Sequence, residues 1–232
     1  AVVDTQDAYD AMTDAELMIL RIFKAPRAVI ERNPNLKMIL RWGAGVDSVD
    51  LQAAGECGVL VTNTPGANAN AVSELAVMMM LAVSRKLLCH VQSLREGTWS
   101  KNTFLNESFC LNHKMVGIIG GGNIGRRVAE KVRCFGAQVQ YYDSFRLPET
   151  QERACGMTYV PLETLLATSD IVTLHVPLLE STRHMIGAAE LAQMKTGAIL
   201  INTARGGLVD DRALAQAVRS GKLSGAGLDG VE

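Results

Sequence analysis

The fold is best indicated by the stretch Met115-Val-Gly-Ile-Ile-Gly-Gly-Gly-Asn-Ile-Gly125, after which Asp143 closes a second apolar run. Gly120, Gly122 and Gly125 form a G-x-G-x-x-G pattern between a predicted strand and a predicted helix. With an acidic residue 21 positions after Gly122, this pattern is typical of a loop that binds a dinucleotide.

Each residue of this pattern has a physical role. Gly120 allows a tight turn, Gly122 lets a pyrophosphate approach the backbone, and Gly125 lets the helix pack close to the sheet. Amides at the helix N-terminus would bind the phosphates, and Asp143 would accept hydrogen bonds from the adenine ribose. Because Asp143 would repel a 2′-phosphate, we expect NAD rather than NADP, although Arg146 could weaken that preference.

Composition excludes several classes of protein. The chain has 232 residues, of which 48% are apolar and 5% aromatic, as in an aliphatic α/β core of one large or two modest domains. Its formal net charge of −1 comes without charge blocks, so we expect neither nucleic acid nor membrane as a partner. The longest apolar run, Leu75–Val83, is too short to span a bilayer, and we expect no secretory signal.

Cysteines and histidines are scattered along the chain. No C-x-x-C pair occurs, which favours reduced thiols in a cytoplasmic protein. The histidines have no metal-ligand spacing, so we predict no metal site. These residues are Cys57, Cys89, Cys110, Cys134, Cys155, His90, His113, His175 and His184.

Strand and helix patterns alternate, which predicts an α/β fold with a mostly parallel sheet covered by helices on both faces. The predicted strands are Leu17–Arg21, Lys37–Trp42, Val59–Asn63, Met115–Gly120, Gln138–Asp143, Ile171–Val176, Ala198–Thr203 and Gly225–Asp229. The predicted helices are Pro26–Arg32, Val49–Cys57, Ala69–Leu94, Leu162–Ala167, Ala188–Met194 and Arg212–Ser220, with a further helix that presents Ile124, Val128, Val132 and Phe135 on one face.

We predict two domains, a smaller α/β domain over residues 1–68 and a dinucleotide-binding domain over residues 69–232. The helix Ala69–Leu94 is apolar and rich in small residues, which indicates burial on most of its sides. Thr98–His113 is polar and irregular, as expected of a connection.

Further polar segments follow predicted strands, where parallel sheets place ligands. Backbone amides in Gly43–Asp47 suit an anion such as a carboxylate, although the segment could equally be a plain turn. Arg205 could hold a carboxylate with two hydrogen bonds, or form a surface ion pair. The segments are Arg41-Trp-Gly-Ala-Gly-Val-Asp47, Asn63-Thr-Pro-Gly66, His175-Val-Pro-Leu178 and Asn202-Thr-Ala-Arg-Gly-Gly-Leu-Val-Asp210.

Together these segments resemble the D-isomer-specific 2-hydroxyacid dehydrogenases, from about Leu17 to Glu232. The run Ala204-Arg-Gly-Gly-Leu-Val-Asp210 and the ending Leu228-Asp229 are the most specific parts, while Arg41–Asp50 and Asn63–Glu74 look most like phosphoglycerate dehydrogenase. The resemblance implies a doubly wound, Rossmann-type NAD domain and a smaller flavodoxin-like α/β substrate domain. It also implies hydride transfer between NAD and a D-2-hydroxy or 2-oxo acid of the phosphoglycerate, glyoxylate or hydroxypyruvate type.

The resemblance implies roles for matching residues. Arg205 would be the catalytic arginine, and the amides of Gly43, Ala44, Gly45 and Val46 would bind the substrate carboxylate, with Arg21 and Arg41 nearby. The implied cofactor contacts are Ala44, Gly120, Gly122, Asn123, Ile124, Gly125, Asp143, Val176, Pro177, Thr203, Ala204, Arg205 and Asp229. His175 matches a structural position rather than the family's acid–base histidine.

The family's acid–base glutamate and histidine fall beyond Glu232 in this comparison, and the family's usual first strand is missing. We therefore expect a fragment, and little turnover from these residues alone. The alternative is an NAD(H)-sensing binding module, such as a corepressor-like protein of the same fold; formate or phosphite dehydrogenase activity is a further alternative. Family members are usually dimers or tetramers, so the apolar segment Ala71–Leu88 is a candidate contact between copies. The particular 2-hydroxy acid is not identified by the sequence.

Overall fold

A computed structural model describes residues 2–3, 5–98 and 102–231, so Glu232 lies outside the described residues. The chain divides into two compact units, Ala1–Asn68 and Ala69–Glu232. Both are α/β units built on parallel strands. Within the described ranges, no helix combines the length and apolar character needed to cross a lipid bilayer.

The first unit has a sheet of three parallel strands in the order β1-β2-β3. Its elements in chain order are α1 (Gln6–Asp10), β1 (Leu17–Leu20), α2 (Arg27–Glu31), β2 (Met38–Arg41), α3 (Leu51–Glu56) and β3 (Leu60–Asn63). Alternate residues such as Met18 and Ile39 are buried against the helices. Leu20, Arg41 and Asn63 pair across the strands, so the segments that follow all three strands lie at one edge of this sheet.

The second unit has a six-stranded parallel sheet in the order β6-β5-β4-β7-β8-β9, the doubly wound arrangement of dinucleotide-binding domains. Its elements are α4 (Ala69–Ser84), α5 (Leu87–Arg95), β4 (Met115–Ile119), α6 (Asn123–Cys134), β5 (Gln138–Tyr142), α7 (Glu149–Cys155), β6 (Thr158–Tyr159), α8 (Leu162–Thr168), β7 (Ile171–Leu174), α9 (Ala188–Gln193), β8 (Ala198–Asn202), α10 (Asp211–Arg219) and β9 (Leu223–Leu228), with 3-10 turns at Glu180–Thr182 and Gly206–Leu208.

Two apolar clusters cover the two faces of this sheet. On one face α4 and α6 contribute Met80, Val128 and Val132, which pack with alternate residues of β4 and β8. On the other face, α8, α9 and α10 pack on a cluster that includes Leu174 and Leu200. Burial on both faces explains why β4, β7 and β8 are almost continuously apolar.

The strand register aligns the residues that follow the strands. Ile119 of β4 pairs with Tyr142 and Leu174, and Asn202 of β8 pairs with Leu174 and Leu228. The next residue along each strand therefore lies on one row at the carboxyl edge of the sheet. In sheet order these residues are Asp143, Gly120, His175, Thr203 and Asp229.

The predicted single helix Ala69–Leu94 is wrong, because the chain forms α4 and α5 with a break at Lys86. Lys86 adopts a left-handed conformation with φ 53°, which cannot continue a right-handed helix. Burial on most sides holds for α4, whose exposed residues form one narrow stripe that includes Met78 at 56% exposure. It is wrong for α5, which has no buried residue.

Phe135 was predicted on one face of α6 together with Ile124, Val128 and Val132, but it is the C-cap and not part of the helix. The helix ends at Cys134, and Phe135 is 46% exposed. Three short elements, α1, α7 and β6, were not predicted, because each is too short to show a clear hydrophobic period.

Candidate functional site

The turn after β4 requires glycine at two positions. Gly120 has φ +104°, and a Cβ atom there would lie 2.7 Å from the carbonyl oxygen of His175. At Gly125, in the first turn of α6, a Cβ atom would lie 2.0 Å from the carbonyl oxygen of Gly120. Any side chain at either position would therefore displace backbone, and the two glycines keep β4, α6 and the end of β7 in close contact.

Gly122 differs, because its own backbone does not require glycine. Its φ is −69°, it is exposed, and a Cβ atom there would meet nothing within 4 Å. Gly122 is the N-cap of α6 without a side-chain hydrogen bond, and Asn123 and Ile124 begin the helix. The first amides of a helix have no partner within the helix and carry partial positive charge. This opening therefore fits a pyrophosphate group.

Asp143 is anchored beside the glycine turn. Its Oδ2 accepts a hydrogen bond of 2.8 Å from the amide of Gly121, and its Oδ1 accepts one of 3.1 Å from the amide of Phe145. A carboxylate has about four acceptor positions, so two ribose hydroxyls can still donate to it. The half-buried carboxylate is thus held at the sheet edge at which the phosphates would bind.

Arg146 does not turn back to Asp143 but pairs with Glu152 of α7. Its Nε and Nη2 donate to Oε1 and Oε2 of Glu152 at 2.9 and 3.1 Å, and its guanidinium lies 5.3 Å from the ring centre of Tyr159. Hydrogen bonds from Arg146 and Tyr141 lower the pKa of Glu152 to about 2. Sequence reasoning gave Glu152 and Tyr141 no role, because their partners become visible only in three dimensions.

The end of β7 holds a neutral histidine. Nε2 of His175 lies 3.0 Å from Oγ1 of Thr173, and burial lowers the pKa of His175 to about 3. Its Nδ1 and the Oγ1 of Thr203 are buried polar atoms without a partner among the described residues. After His175, Val176 is half-buried and Pro177 is exposed.

Arg205 is presented by a loop that Asn202 holds in place. The buried Asn202 side chain donates through Nδ2 to the carbonyl of Arg205 at 2.7 Å and accepts from the amide of Ala204 at 3.0 Å. Arg205 is exposed, and its Nη1 donates to the carbonyl of Ala204 at 2.8 Å. Asn202 was quoted in the sequence motif without a role; an asparagine that ends a strand and bonds the following backbone is the signal that was missed. Asp229 is exposed after β9, and its amide donates to Asn202.

In the first unit, the loop after β2 presents backbone amides. The amide of Gly43 is already used, because it donates to the carbonyl of Arg41 at 2.9 Å and to Oγ1 of Thr64 at 3.0 Å. Within the described ranges, the amides of Ala44, Gly45 and Val46 donate no hydrogen bond. The expected anion site therefore reduces to these three successive amides.

The two arginines predicted near the substrate, Arg21 and Arg41, differ in hydrogen bonding and exposure. The Nη1 of Arg41 donates to the carbonyl of Leu20 at the end of β1 and to that of Trp42 in the loop after β2. Arg21 is exposed directly after β1, at the same edge of the three-stranded sheet. Arg41 thus holds the loop that carries the free amides, while Arg21 remains open to solvent.

Known proteins resemble this chain over most of its length. A sequence profile described as D-isomer specific 2-hydroxyacid dehydrogenase, NAD binding domain, matches residues 77–232. The hydroxypyruvate reductase of Thermotoga maritima is 44% identical over 216 residues, which are 93% of this chain and 69% of that protein. The D-3-phosphoglycerate dehydrogenase of Methanocaldococcus jannaschii is 38% identical over 98% of this chain and 43% of its own length.

A solved structure agrees with this likeness. The D-lactate dehydrogenase of Aquifex aeolicus, complexed with NAD and lactic acid, has a TM-score of 0.86 and 33% identity, and covers 99% of this chain and 67% of its own. The chain thus spans between 43% and 69% of these relatives. Their names are those of reductases and dehydrogenases, which supports the enzyme and not the corepressor-like alternative. The chain belongs to the D-isomer specific 2-hydroxyacid dehydrogenases, and residues 77–232 are the NAD-binding domain of that family.

Proposed function

We propose that this protein transfers a hydride between NAD and a D-2-hydroxy acid or the matching 2-oxo acid. The observation that carries the proposal is the anchored carboxylate of Asp143, beside the open N-terminus of α6 and on the row of strand ends that leads to the Arg205 loop. NAD supplies the hydride chemistry, and the chain supplies binding and orientation. Glyoxylate, hydroxypyruvate and the 2-oxo partner of phosphoglycerate are the substrates to test, because relatives bear their names.

On the cofactor side, each residue keeps one task in this proposal. The amides that begin α6 bind the pyrophosphate, and Asp143 accepts hydrogen bonds from the adenine ribose. The unpartnered Oγ1 of Thr203 supports a polar contact on the nicotinamide side. The proposed contacts are Gly120, Gly122, Asn123, Ile124, Gly125 and Asp143, with Val176 and Pro177 toward adenine, and Ala44, Thr203, Ala204, Arg205 and Asp229 toward nicotinamide.

On the substrate side, Arg205 binds the carboxylate and polarises the carbonyl that receives the hydride. A guanidinium suits this task because it donates two parallel hydrogen bonds to a carboxylate. In the first unit, the free amides of Ala44, Gly45 and Val46 suit the same kind of anion. We therefore assign substrate binding to the unit of residues 1–68 and NAD binding to residues 69–232.

His175 is not the group that exchanges the hydroxyl proton in this proposal. A general acid or base works best with a pKa near the operating pH, and burial holds the pKa of His175 at about 3. Its ring is therefore neutral at neutral pH, and it serves as part of the wall at the end of β7.

Arg205→Ala tests the reaction. In the whole protein, with NADH and each 2-oxo acid as substrates, we expect kcat/KM to fall about 10²–10³-fold, as for the loss of one group that stabilises developing charge. Arg219→Ala, which removes an exposed arginine at the end of α10, is the matched control and leaves kcat/KM unchanged. Wild-type kcat/KM in Arg205→Ala, with every substrate, contradicts the assigned role.

We also propose that the protein is a cytoplasmic homo-oligomer, without nucleic acid or membrane partners. Met78, Leu87 and Phe135 are about half exposed and line a groove of about 650 Å³ beside α4 and α6, which fits contact with a second copy. Light scattering after size exclusion tests this. Phe135→Glu should lower the measured mass to that of one chain, whereas Val218→Glu on α10 should not; an unchanged mass in Phe135→Glu argues against this contact.

A further inference from the structure

The loop after β5 carries two charged side chains that turn in opposite directions. β5 lies between β4 and β6 in the sheet. Asp143 bonds the amide of Gly121, on the β4 side, whereas Arg146 lies over the ring of Tyr159, which belongs to β6. A positive charge only three residues from Asp143 is thus kept on the far side of the loop.

Glu152 holds the guanidinium of Arg146 on the β6 side of the loop. Both its carboxylate oxygens accept from the guanidinium of Arg146, and Oε1 also accepts from the hydroxyl of Tyr141 at 2.7 Å. The side chain of Glu152 is only 10% exposed, while that of Arg146 is 57% exposed. The fixed partner of this pair is therefore Glu152, and Arg146 is the long side chain that would move if the pair were broken.

The same loop is fastened by its backbone. The amide of Leu147 donates to the hydroxyl of Tyr141 at 2.9 Å, and that hydroxyl donates to Glu152. The pKa of Tyr141 rises to about 12, because burial and the nearby carboxylate oppose its ionisation, so the hydroxyl keeps its proton and remains a donor. Glu152 thus accepts hydrogen bonds both from Tyr141, which holds the backbone of the loop, and from the guanidinium of Arg146.

A released Arg146 would change the charge near Asp143. Guanidinium groups recognise phosphate with parallel, charge-assisted hydrogen bonds, and an arginine near the ribose is how this kind of domain accommodates a 2′-phosphate. While Arg146 is held, its charge is kept away, and the 2′-phosphate of NADP would meet the carboxylate of Asp143.

We propose that Glu152 is a specificity-determining residue, which favours NAD over NADP by holding Arg146 on the β6 side of the loop. This inference rests on the proposed binding of the adenine ribose by Asp143. Glu152 touches no cofactor itself and acts through Arg146, so it is a positioning residue.

The test compares Glu152→Ala with Glu149→Ala by titration with NADH and NADPH. Glu149 lies on the same helix and pairs with Arg153 at 3.1 Å, so its variant removes the same charge and an exposed ion pair with a different arginine. In Glu152→Ala, we expect the preference for NADH over NADPH to fall about tenfold, as for one new charged hydrogen bond to phosphate. Glu149→Ala should keep the wild-type preference.

Two further variants test whether Arg146 causes the change in cofactor preference. Arg146→Ala should leave the preference unchanged, because the guanidinium is already held away, and Glu152→Ala with Arg146→Ala should return to the wild-type preference. Glu152→Gln keeps an acceptor for Tyr141 and serves if the alanine variant does not fold; we expect a smaller shift in the same direction.

The outcomes separate the two proposals. If Glu152→Ala loses the same affinity for NADH and for NADPH, Glu152 has only a structural role. If the double variant without Arg146 still shows the shift toward NADPH, the shift does not come from Arg146. Either result overturns this inference. If the wild-type protein binds NADH but its preference is the same in all these variants, only this inference fails. If it binds no NADH, or binds NADPH more tightly, the proposed function fails as well.

Discussion

Replacing Gly122 and Gly125 separately by alanine should separate cofactor binding from folding. Both glycines stand at the start of α6, but a Cβ atom at Gly125 would lie 2.0 Å from the carbonyl oxygen of Gly120, whereas one at Gly122 meets nothing within 4 Å. Gly125→Ala is therefore a change within the packed turn, and Gly122→Ala is a change at the surface to which we assign the pyrophosphate.

The magnitudes follow from these distances. A carbon normally stays about 3.3 Å from a carbonyl oxygen. In Gly125→Ala the helix or the Gly120 turn must therefore shift, at a cost of about 3 kcal/mol. Alanine also stabilises the helix by about 1 kcal/mol relative to glycine, because it is the better helix former. The net loss of about 2 kcal/mol lowers Tm by about 4–8 °C for a protein of this size.

Gly122→Ala should behave in the opposite way. Alanine is a poorer N-cap by about 1 kcal/mol, but it restricts the unfolded chain by a similar amount, so Tm should change by less than about 3 °C. Its methyl group would crowd the pyrophosphate at a cost of about 1–3 kcal/mol, which raises the Kd for NADH about 5- to 150-fold. Thermal unfolding and NADH titration on the same samples give both quantities. Wild-type affinity in Gly122→Ala, or wild-type Tm in Gly125→Ala, would refute the reasoning for that position.

Three further predictions concern stability. Glu152 should stabilise the fold at pH values above its usual pKa of 4.5 and lose that contribution as the pH falls toward about 2. The difference in free energy of unfolding between wild type and Glu152→Gln should therefore become smaller over that range. A difference that stays constant with pH contradicts this. His175 takes up a proton below pH 6.5 when unfolded but only near pH 3 when folded, so the wild type should lose stability as the pH falls between these values, and His175→Asn should lose less. Met80→Ala, in the core, should cost about 2–5 kcal/mol in denaturant unfolding. Leu94→Ala, at an exposed position of α5, should cost less than about 0.5 kcal/mol, and equal losses would contradict the assigned burial.

Long apolar patterns predicted the main elements well. β4, β7 and β8 are buried on both faces, so each appears in the sequence as an almost continuous apolar run that ends within about two residues of the observed strand. The glycine pattern with Asp143 then placed one edge of the sheet, because parallel strands bring the residues that follow them to a common side.

The sequence could not predict features that depend on tertiary contact. The break at Lys86 coincides with hydrogen bonds from its Nζ to Ser224, 138 residues away, and no local pattern reveals them. The amide of Gly43 is occupied by Thr64, and Arg146 is held by Glu152, so two groups that seemed open from spacing alone are already bound within the chain.

The most direct test of the account is to titrate wild type and Asp143→Ala with NADH and NADPH. If Asp143 accepts hydrogen bonds from the adenine ribose, wild type binds NADH more tightly than NADPH, and the variant loses about tenfold or more in affinity for NADH and much less for NADPH. Tighter binding of NADPH by wild type, or an unchanged NADH affinity in Asp143→Ala, would contradict the account.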